Sequence, residues 1–356
     1  MDRDIPSTFE ERDWARDVTG EPVRFAVIGL GWFGPDVAIP AIAESDYCET
    51  TVCVSGDKAK AERVAEENDA EHGLTYDEYA DGEAVDAYDA VYIVTPNALH
   101  LPHVETAAEY DKDVLCEKPL EATAERAKQI VEICEEAGVD LMTAYRMHTT
   151  RSVRYVRDLV ADGVIGDPVH TRGAFSYNLV AAGESMDQWR LDPDLAGGGP
   201  LMDLGVYPLN TSRFVLDADP TAVHASTVEG PPGFDGLEEY CAFTMEFGDG
   251  PVASCDTGYQ VAGDNYFEVG GTHGRIRIDG PYNVDADRKI TVRAEGEEVV
   301  AEPDEPSEMV EEFDYFATAL LSDMEIGPDG EHGAFDVEIT EAIYESAETG
   351  ERVDLS

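Results

Sequence analysis

A short apolar run that ends in three spaced glycines limits this chain more than any other stretch. In "VRFAVIGLGWFG", residues 23–34, the run is followed by Gly29, Gly31 and Gly34 at the spacing G-x-G-x-x-G. A strand that turns tightly into a helix needs glycine where the chain reverses and where backbone must come close to something else. The N–H groups at the start of such a helix point outward and attract anions, so the turn suits the pyrophosphate of a dinucleotide. Leu30, Trp32 and Phe33 complete this loop. Alone, the spacing arises in many turns; the strand before it gives it meaning.

The rest of the first half keeps alternating. A strand "ETTVCVSG" leads to a helix "KAKAERVAEEN", and a strand "DAVYIVTPN" to a helix from about Leu101. A strand "DVLCEKP" then leads to "ATAERAKQIVEICEEAG", where Ala127, Ile130, Val131 and Cys134 recur at helical spacing and Gly138 stops the helix. Strands separated by helices predict a parallel, doubly wound sheet. Such sheets bind ligands beyond the carboxyl ends of their strands. That places Thr95, Pro96, Asn97 and His100 of "TPNALH", and Glu117 and Lys118 of "CEKP", at the cofactor. The second strand ends at Ser55 and Gly56, where an enzyme using NAD carries an acid for the ribose 2′-hydroxyl. A small hydroxyl followed by Lys58, Lys60 and Arg63 suits a 2′-phosphate instead, although Asp57 could still serve a hydroxyl. NADP is therefore expected, with NAD the weaker option. His100 and His103 lack a companion set of cysteines or acids, so no metal site is expected.

The second half changes character. Arg151, Arg154 and Arg157 line one face of a helix, which reads as surface pairing with the acidic background or, alternatively, an anion site. In "YCAFTMEF" the apolar residues Cys241, Phe243, Met245 and Phe247 alternate with period two, and five further short strands follow. These predict an α+β domain with an open-faced, mostly antiparallel sheet, closed by two terminal helices. An open sheet with apolar alternation is expected to meet another subunit, making a homo-oligomer. The division expected is an N-terminal arm (1–21), a dinucleotide-binding domain (22–147) and a substrate-binding and oligomerisation domain (148–356). Within the last, "GGGPLMDLGVYPLN" runs three glycines into Pro200 and a helix that carries Asp203 and Tyr207 one turn apart.

Charge narrows the setting. Seventy-seven acids face 24 bases, for a formal net charge of −53, scattered along the whole chain. Such a protein would repel itself in dilute buffer, but at about 1 M salt the Debye length is only about 3 Å. A salt-rich cytoplasm is expected, and nucleic-acid binding is disfavoured because no basic stripe offsets the field. The six cysteines form no C-x-x-C pair, and no apolar stretch approaches a membrane span. No secretory leader is expected at the N-terminus.

The segments "GLGWFG", "VSGDKAKAERVA", "VTPNALHLPHVETAAEYDKDVLCEKPL" and "WRLDPDLAGGGPLMDLGVYPLN" together resemble the glucose–fructose oxidoreductase, inositol dehydrogenase and rhizopine-catabolism family, from about Pro22 onward. The resemblance implies a Rossmann domain followed by the open-faced sheet, with the site between them. It implies that Lys118 reaches nicotinamide and substrate, that Pro119 follows a cis peptide, and that Trp189 and Arg190 lie on a cofactor-contacting segment. Many members carry histidine where this chain has Tyr207, so it follows the tyrosine branch. The branch it most resembles is that of salt-adapted, NADP-dependent D-xylose 1-dehydrogenases, which implies oxidation of an aldopyranose at C1 to its lactone.

The residues themselves suit that chemistry. Oxidising a hydroxyl needs a base for its proton while hydride leaves carbon. An ordinary tyrosine, with a pKa of about 10, is a poor base near neutrality, and a nearby ammonium lowers that value. Lys118 would supply the ammonium, and Asp203 would hold a neighbouring sugar hydroxyl or orient the lysine. Asn178, at the end of "GAFSYN", is a further substrate-binding candidate. Two other readings remain open: a trans-dihydrodiol dehydrogenase or keto-sugar reductase using the same residues, and a non-catalytic NADP-binding sensor.

Overall fold

The computed structural model describes residues 9, 12–179, 185–263, 265–284 and 286–355. Residues 1–8, 10 and 11 of the expected arm lie outside these. The chain forms two compact units: Asp13–Arg146 with Met309–Val337, and Met147–Glu308 with Glu338–Ser356 and the described residues of Met1–Arg12.

The first unit holds a six-stranded sheet of β1 (Val23–Ile28), β2 (Cys48–Ser55), β3 (His72–Thr75), β4 (Ala90–Ile93), β5 (Asp113–Glu117) and β6 (Leu141–Ala144), in the order β3-β2-β1-β4-β5-β6. Every neighbouring pair is parallel. The middle strands are buried on both faces, which is why they read as unbroken apolar runs. Helices α1 (Ile39–Glu44), α2 (Lys58–Glu67), α3 (Tyr76–Ala80), α4 (His100–Glu109) and α5 (Ala124–Ala137) connect them. The strand order reverses between β1 and β4, and the crevice at such a reversal is where doubly wound sheets take ligands.

The expected division assigned everything after residue 147 to the second domain. The structure instead groups Met309–Val337 with the first unit. The reason is packing: Phe313 meets the edges of Phe25 (5.5 Å between centroids) and Tyr92 (5.1 Å). Trp14 is buried edge-on against Tyr315, 5.3 Å away.

The second unit is built on a nine-stranded sheet. Its strands are β7 (Pro168–Ser176), β8 (Ala222–Glu229), β9 (Glu238–Glu246), β10 (Val252–Gly258), β11 (Asn265–Gly271), β12 (Gly274–Asp279), β13 (Lys289–Ala294), β14 (Glu297–Ala301) and β15 (Val353–Asp354). The order is β14-β13-β12-β11-β7-β10-β9-β8-β15, and all pairs are antiparallel except β7 with β10. The remaining helices are α6 (Arg151–Ala161), α7 (Pro193–Ala196), α8 (Val206–Leu216), α9 (Glu308–Ser322) and α10 (Gly330–Thr349).

One face of this sheet lies under α8. The Thr171 and Ser212 hydroxyls are 3.0 Å apart, and a Cβ on Gly173 would sit 2.6 Å from that of Pro208. The other face is more charged than the apolar alternation suggested. Glu268 lies among Arg172 and Arg275, each at 3.7 Å, and Arg277 stacks 4.0 Å over the Tyr266 ring.

The α6 arginines are absorbed locally. Arg151 donates to the Phe9 carbonyl, Arg154 to the His148 carbonyl (2.6 Å), and Arg157 lies 4.7 Å over the Phe214 ring. All six cysteines are free and buried. Among the described residues no helix is long and apolar enough to cross a membrane.

Candidate active site

The glycine turn after β1 shows what each glycine is for. Gly29 has φ +107°, and a Cβ there would lie 2.7 Å from the Val94 carbonyl oxygen. A Cβ on Gly34 would lie 2.6 Å from the Gly29 carbonyl oxygen. Gly31 differs, because nothing lies within 4 Å of where its Cβ would be. Two glycines thus close the turn, and the middle one leaves its backbone facing open space. The helix then begins with a widened turn, Gly34–Ala38, in which the Ile39 N–H donates five residues back to Gly34. Such turns concentrate at functional sites. Leu30 is buried, while Trp32 is 57% exposed and stands edge-on to Phe33 at 5.3 Å.

Two neighbouring segments complete this crevice. After β4, the Thr95 hydroxyl is buried with no partner among the described residues, and Pro96 leads to buried Asn97. After β2, the Ser55 hydroxyl accepts from the Asp57 N–H at 3.3 Å, and the Asp57 carboxylate caps α2 by accepting from the Lys60 N–H at 3.2 Å. Asp57, the residue that could have held a ribose hydroxyl, is therefore engaged as a cap. Gly56 is exposed beside the Tyr76 ring. Lys58 pairs with Glu78 at 2.6 Å and Arg63 with Glu67 at 3.9 Å. The Lys60 ammonium has no ion-pair or hydrogen-bond partner among the described residues. The open backbone at Gly31, the orphaned Thr95 hydroxyl and the uncommitted Lys60 fit a phosphorylated dinucleotide.

The loop after β5 carries half-buried Lys118, joined to Pro119 by a cis peptide. The preceding Glu117 is tied down: one carboxylate oxygen accepts from the Tyr92 hydroxyl at 2.6 Å and the other from the Lys118 N–H at 3.1 Å. His100, expected beside the cofactor, is fully buried, and its ring nitrogens lie 3.0 Å from the Leu120 and Thr95 carbonyl oxygens. Fully buried Glu121 accepts from Arg126 at 2.8 Å, and Arg126 also donates to the Ala98 carbonyl at 2.9 Å.

In the second unit, the three glycines at 197–199 answer to crowding. Gly197 ends α7 with φ +76°. A Cβ on Gly198 would lie 2.2 Å from the Tyr344 hydroxyl, and one on Gly199 2.6 Å from the Glu238 carbonyl oxygen. Buried Glu238 then caps the helical stretch, accepting from the Gly199 and Leu201 N–H groups (both 3.1 Å) and the Tyr344 hydroxyl (2.9 Å). Burial pushes the Glu238 carboxyl above its ordinary range against those donors.

Leu201–Gly205 forms a second widened turn, in which Val206 donates back to Leu201, and it presents Asp203. The Asp203 Oδ2 accepts from Arg190 Nε at 3.1 Å and from the Tyr259 hydroxyl at 2.9 Å. Burial works against the Arg190 charge, but Asp203 and the nearby phenols outweigh it and raise its pKa. Burial also pushes Tyr259 well above its ordinary value, so it stays a neutral donor. Arg190 lies 4.6 Å over the Trp189 ring. Tyr207 is buried edge-on to Phe175 (5.3 Å) and against Tyr282 (5.7 Å). Asn178 is half-buried and paired through the backbone with Gln260.

Sequence reasoning thus missed Glu238, Tyr259 and Glu121. The structure brings Arg190, Asp203 and Tyr259 together in one unit, and Thr95, His100, Glu117 and Lys118 in the loops of the other.

Comparison with known proteins fits this arrangement. Residues 23–145 match the model of the GFO/IDH/MocA oxidoreductase family, NAD-binding Rossmann fold, and residues 153–277 match the GFO/IDH/MocA C-terminal domain. The chain is 47% identical over 350 residues to the D-xylose 1-dehydrogenase [NADP(+)] of Haloarcula marismortui, covering 98% of this chain and 97% of that one. It is 33% identical over 336 residues to D-xylose 1-dehydrogenase (NADP(+)) 2 of Haloferax volcanii, covering 94% and 100%. Among solved structures, aldose–aldose oxidoreductase from Caulobacter crescentus, complexed with glycerol, superposes with a TM-score of 0.88 at 29% identity, covering 94% of this chain and 100% of that one.

Proposed function

The chain belongs to the GFO/IDH/MocA oxidoreductase family, and from that premise we propose that it is an NADP-dependent aldose 1-dehydrogenase. It takes hydride from C1 of an aldopyranose, D-xylose first, and releases the lactone in a salt-rich cytosol as a step of pentose catabolism. The near-full-length likeness to the Haloarcula enzyme carries this reading.

Bound NADP would supply the hydride acceptor. The Gly29–Gly34 turn would hold its pyrophosphate on backbone N–H groups, with the Thr95 hydroxyl and Asn97 available in the β4 loop. Ser55 and Lys60 would hold the 2′-phosphate. We assign Tyr207 as the base for the C1 hydroxyl proton and Lys118 as a cation for the reacting oxygen. Asp203, held between Arg190 and Tyr259, offers an acceptor to a sugar hydroxyl, with Asn178 a second polar contact.

Purified protein mixed with NADP and a panel of aldoses in high salt is expected to raise absorbance at 340 nm, most strongly with D-xylose. Silence with every aldose sinks the reading. In the same assay Lys60→Ala is expected to raise the KM for NADP about tenfold, the value of one charged hydrogen bond, and to leave NAD unchanged.

We also assign the outer face of the nine-stranded sheet to contact with a second copy. Arg172, Arg275, Arg277, Lys289 and Arg293 gather on β7, β12 and β13 with Glu268, Asp279 and Glu298 among them, whereas Asp256 and Glu246, the latter paired with Arg352, lie on the same face at β10 and β9. A two-fold pairing lays the cations of one copy over the acids of the other. Light scattering in high salt is expected to give a multimer that Arg172→Glu with Arg275→Glu dissociates; a monomeric wild type removes the assignment.

A further inference from the structure

His100 begins α4, fully buried, with both ring nitrogens committed. Nδ1 is 3.0 Å from the Leu120 carbonyl oxygen, two residues beyond Lys118. Nε2 is 3.0 Å from the Thr95 carbonyl oxygen, two residues before Asn97. Carbonyl oxygens only accept. A neutral imidazole has one N–H and one lone pair, so it donates to one of these carbonyls and turns its lone pair on the other. Only the imidazolium donates to both.

The surroundings can hold that charge. Glu121, next to Leu120, is a fully buried carboxylate paired with Arg126, whose guanidinium also ties down Ala98 between Thr95 and His100. Glu117, at the end of β5, adds a second carboxylate whose charge acts on the ring. Burial is the largest influence on His100 and leaves its pKa below the ordinary histidine value, with the two carbonyls and the Glu121 and Glu117 carboxylates opposing that fall. His103, one turn along α4, is itself pushed down to about 4 by burial, so it is neutral and adds no competing charge near neutrality.

We infer that His100 is a positioning residue, a proton-dependent clasp that holds the Thr95–Asn97 loop and the Lys118 loop together when its ring is doubly protonated. The inference rests on the proposed function, in which those loops receive the dinucleotide and the substrate. The neutral ring releases one of the two carbonyls, so the clasp is complete below the histidine's folded pKa and loosens as pH rises through it.

The test uses the full chain in high salt. Nitrogen-15 NMR of histidine-labelled protein, with the His100 signals assigned by their absence in His100→Gln, follows the ring from pH 5 to pH 8.5. Both nitrogens are expected to carry hydrogen at the acid end and one at the basic end. The NADP dissociation constant, read by fluorescence without any sugar, is expected to rise about three- to tenfold across the same midpoint, the worth of one hydrogen bond. His100→Gln, which offers a donor to one carbonyl only, is expected to hold the weaker value at every pH. A single neutral tautomer throughout, or a binding step that persists in His100→Gln, overturns the clasp. Should the variant fail to fold, the His100 signals are assigned instead by through-space transfer to the Thr95 and Leu120 backbone, and the wild-type ring titration set against the NADP binding profile decides. Failure of the functional reading looks different: the ring titrates as expected while no aldose is turned over.

Discussion

Lys118→Ala is expected to lower kcat with D-xylose by about 10²–10⁴-fold, the usual worth of positioned acid–base catalysis, while the NADP dissociation constant moves by less than about threefold. The argument is electrostatic. On the proposed mechanism an ammonium at the reacting oxygen would favour an ionised base, and without it an ordinary tyrosine pKa of about 10 leaves little base near neutrality. The alkaline rise of kcat is therefore expected to move upward in pH in the variant, a change that simple unfolding would not produce. Tyr207→Phe is expected to lose a similar factor, and the double variant to be no worse than the poorer single one, because residues that act as a unit do not add. A Lys118→Ala enzyme retaining a tenth or more of the wild-type kcat would take the lysine out of the mechanism.

The parts of the fold that were readable share a physical cause. Strands of a parallel sheet are buried on both faces, so β1, β4 and β5 stand out as apolar runs punctuated by glycine and proline turns. The second sheet was legible as a set of faces but not as a set of partners. A period of two says which residues share a side and nothing of strand direction, so the parallel pairing of β7 with β10 left no trace. β15 has two residues, and β8 is exposed over its second half, so neither shows alternation.

The same distinction governs the site. Lys118, Asp203 and Tyr207 were picked out by their place beside glycines and prolines. Glu238 and Glu121 are structurally decisive carboxylates, yet in a chain with seventy-seven acids nothing in "LEEYCAF" or "KPLEAT" separates a buried one from a solvated one. The glycines at 197–199 stand out in the sequence, but Tyr344 and Glu238, which crowd Gly198 and Gly199, lie far away in it. His100 was legible as a polar loop residue; that two carbonyls would meet its ring depends on the β4 and β5 loops meeting.

Transfer to dilute buffer is expected to unfold the protein at room temperature, and the melting temperature is expected to climb steeply up to about 1 M salt. The accessible surface of 15139 Å² shared among 53 uncompensated negative charges puts neighbours roughly 17 Å apart. At that separation in water a pair repels by about 0.2 kcal/mol before screening. With a Debye length of about 30 Å at 0.01 M, most of that survives, and some 150 nearest pairs sum to roughly 20 kcal/mol. At 0.15 M the length is about 8 Å and the sum falls to several kcal/mol; at 1 M it is about 3 Å and the sum falls below about 1 kcal/mol. A folded domain has only about 5–15 kcal/mol to lose, so the first figure exceeds its stability and the second takes a large part of it. Because the cause is screening, potassium and sodium chloride at equal ionic strength are expected to act alike, and a neutral osmolyte at equal osmolality to rescue far less. Circular dichroism melts across that series decide the matter: a melting temperature that stays flat between 0.05 and 1 M salt, or that follows osmolality instead of ionic strength, would show that charge repulsion does not set this protein's stability.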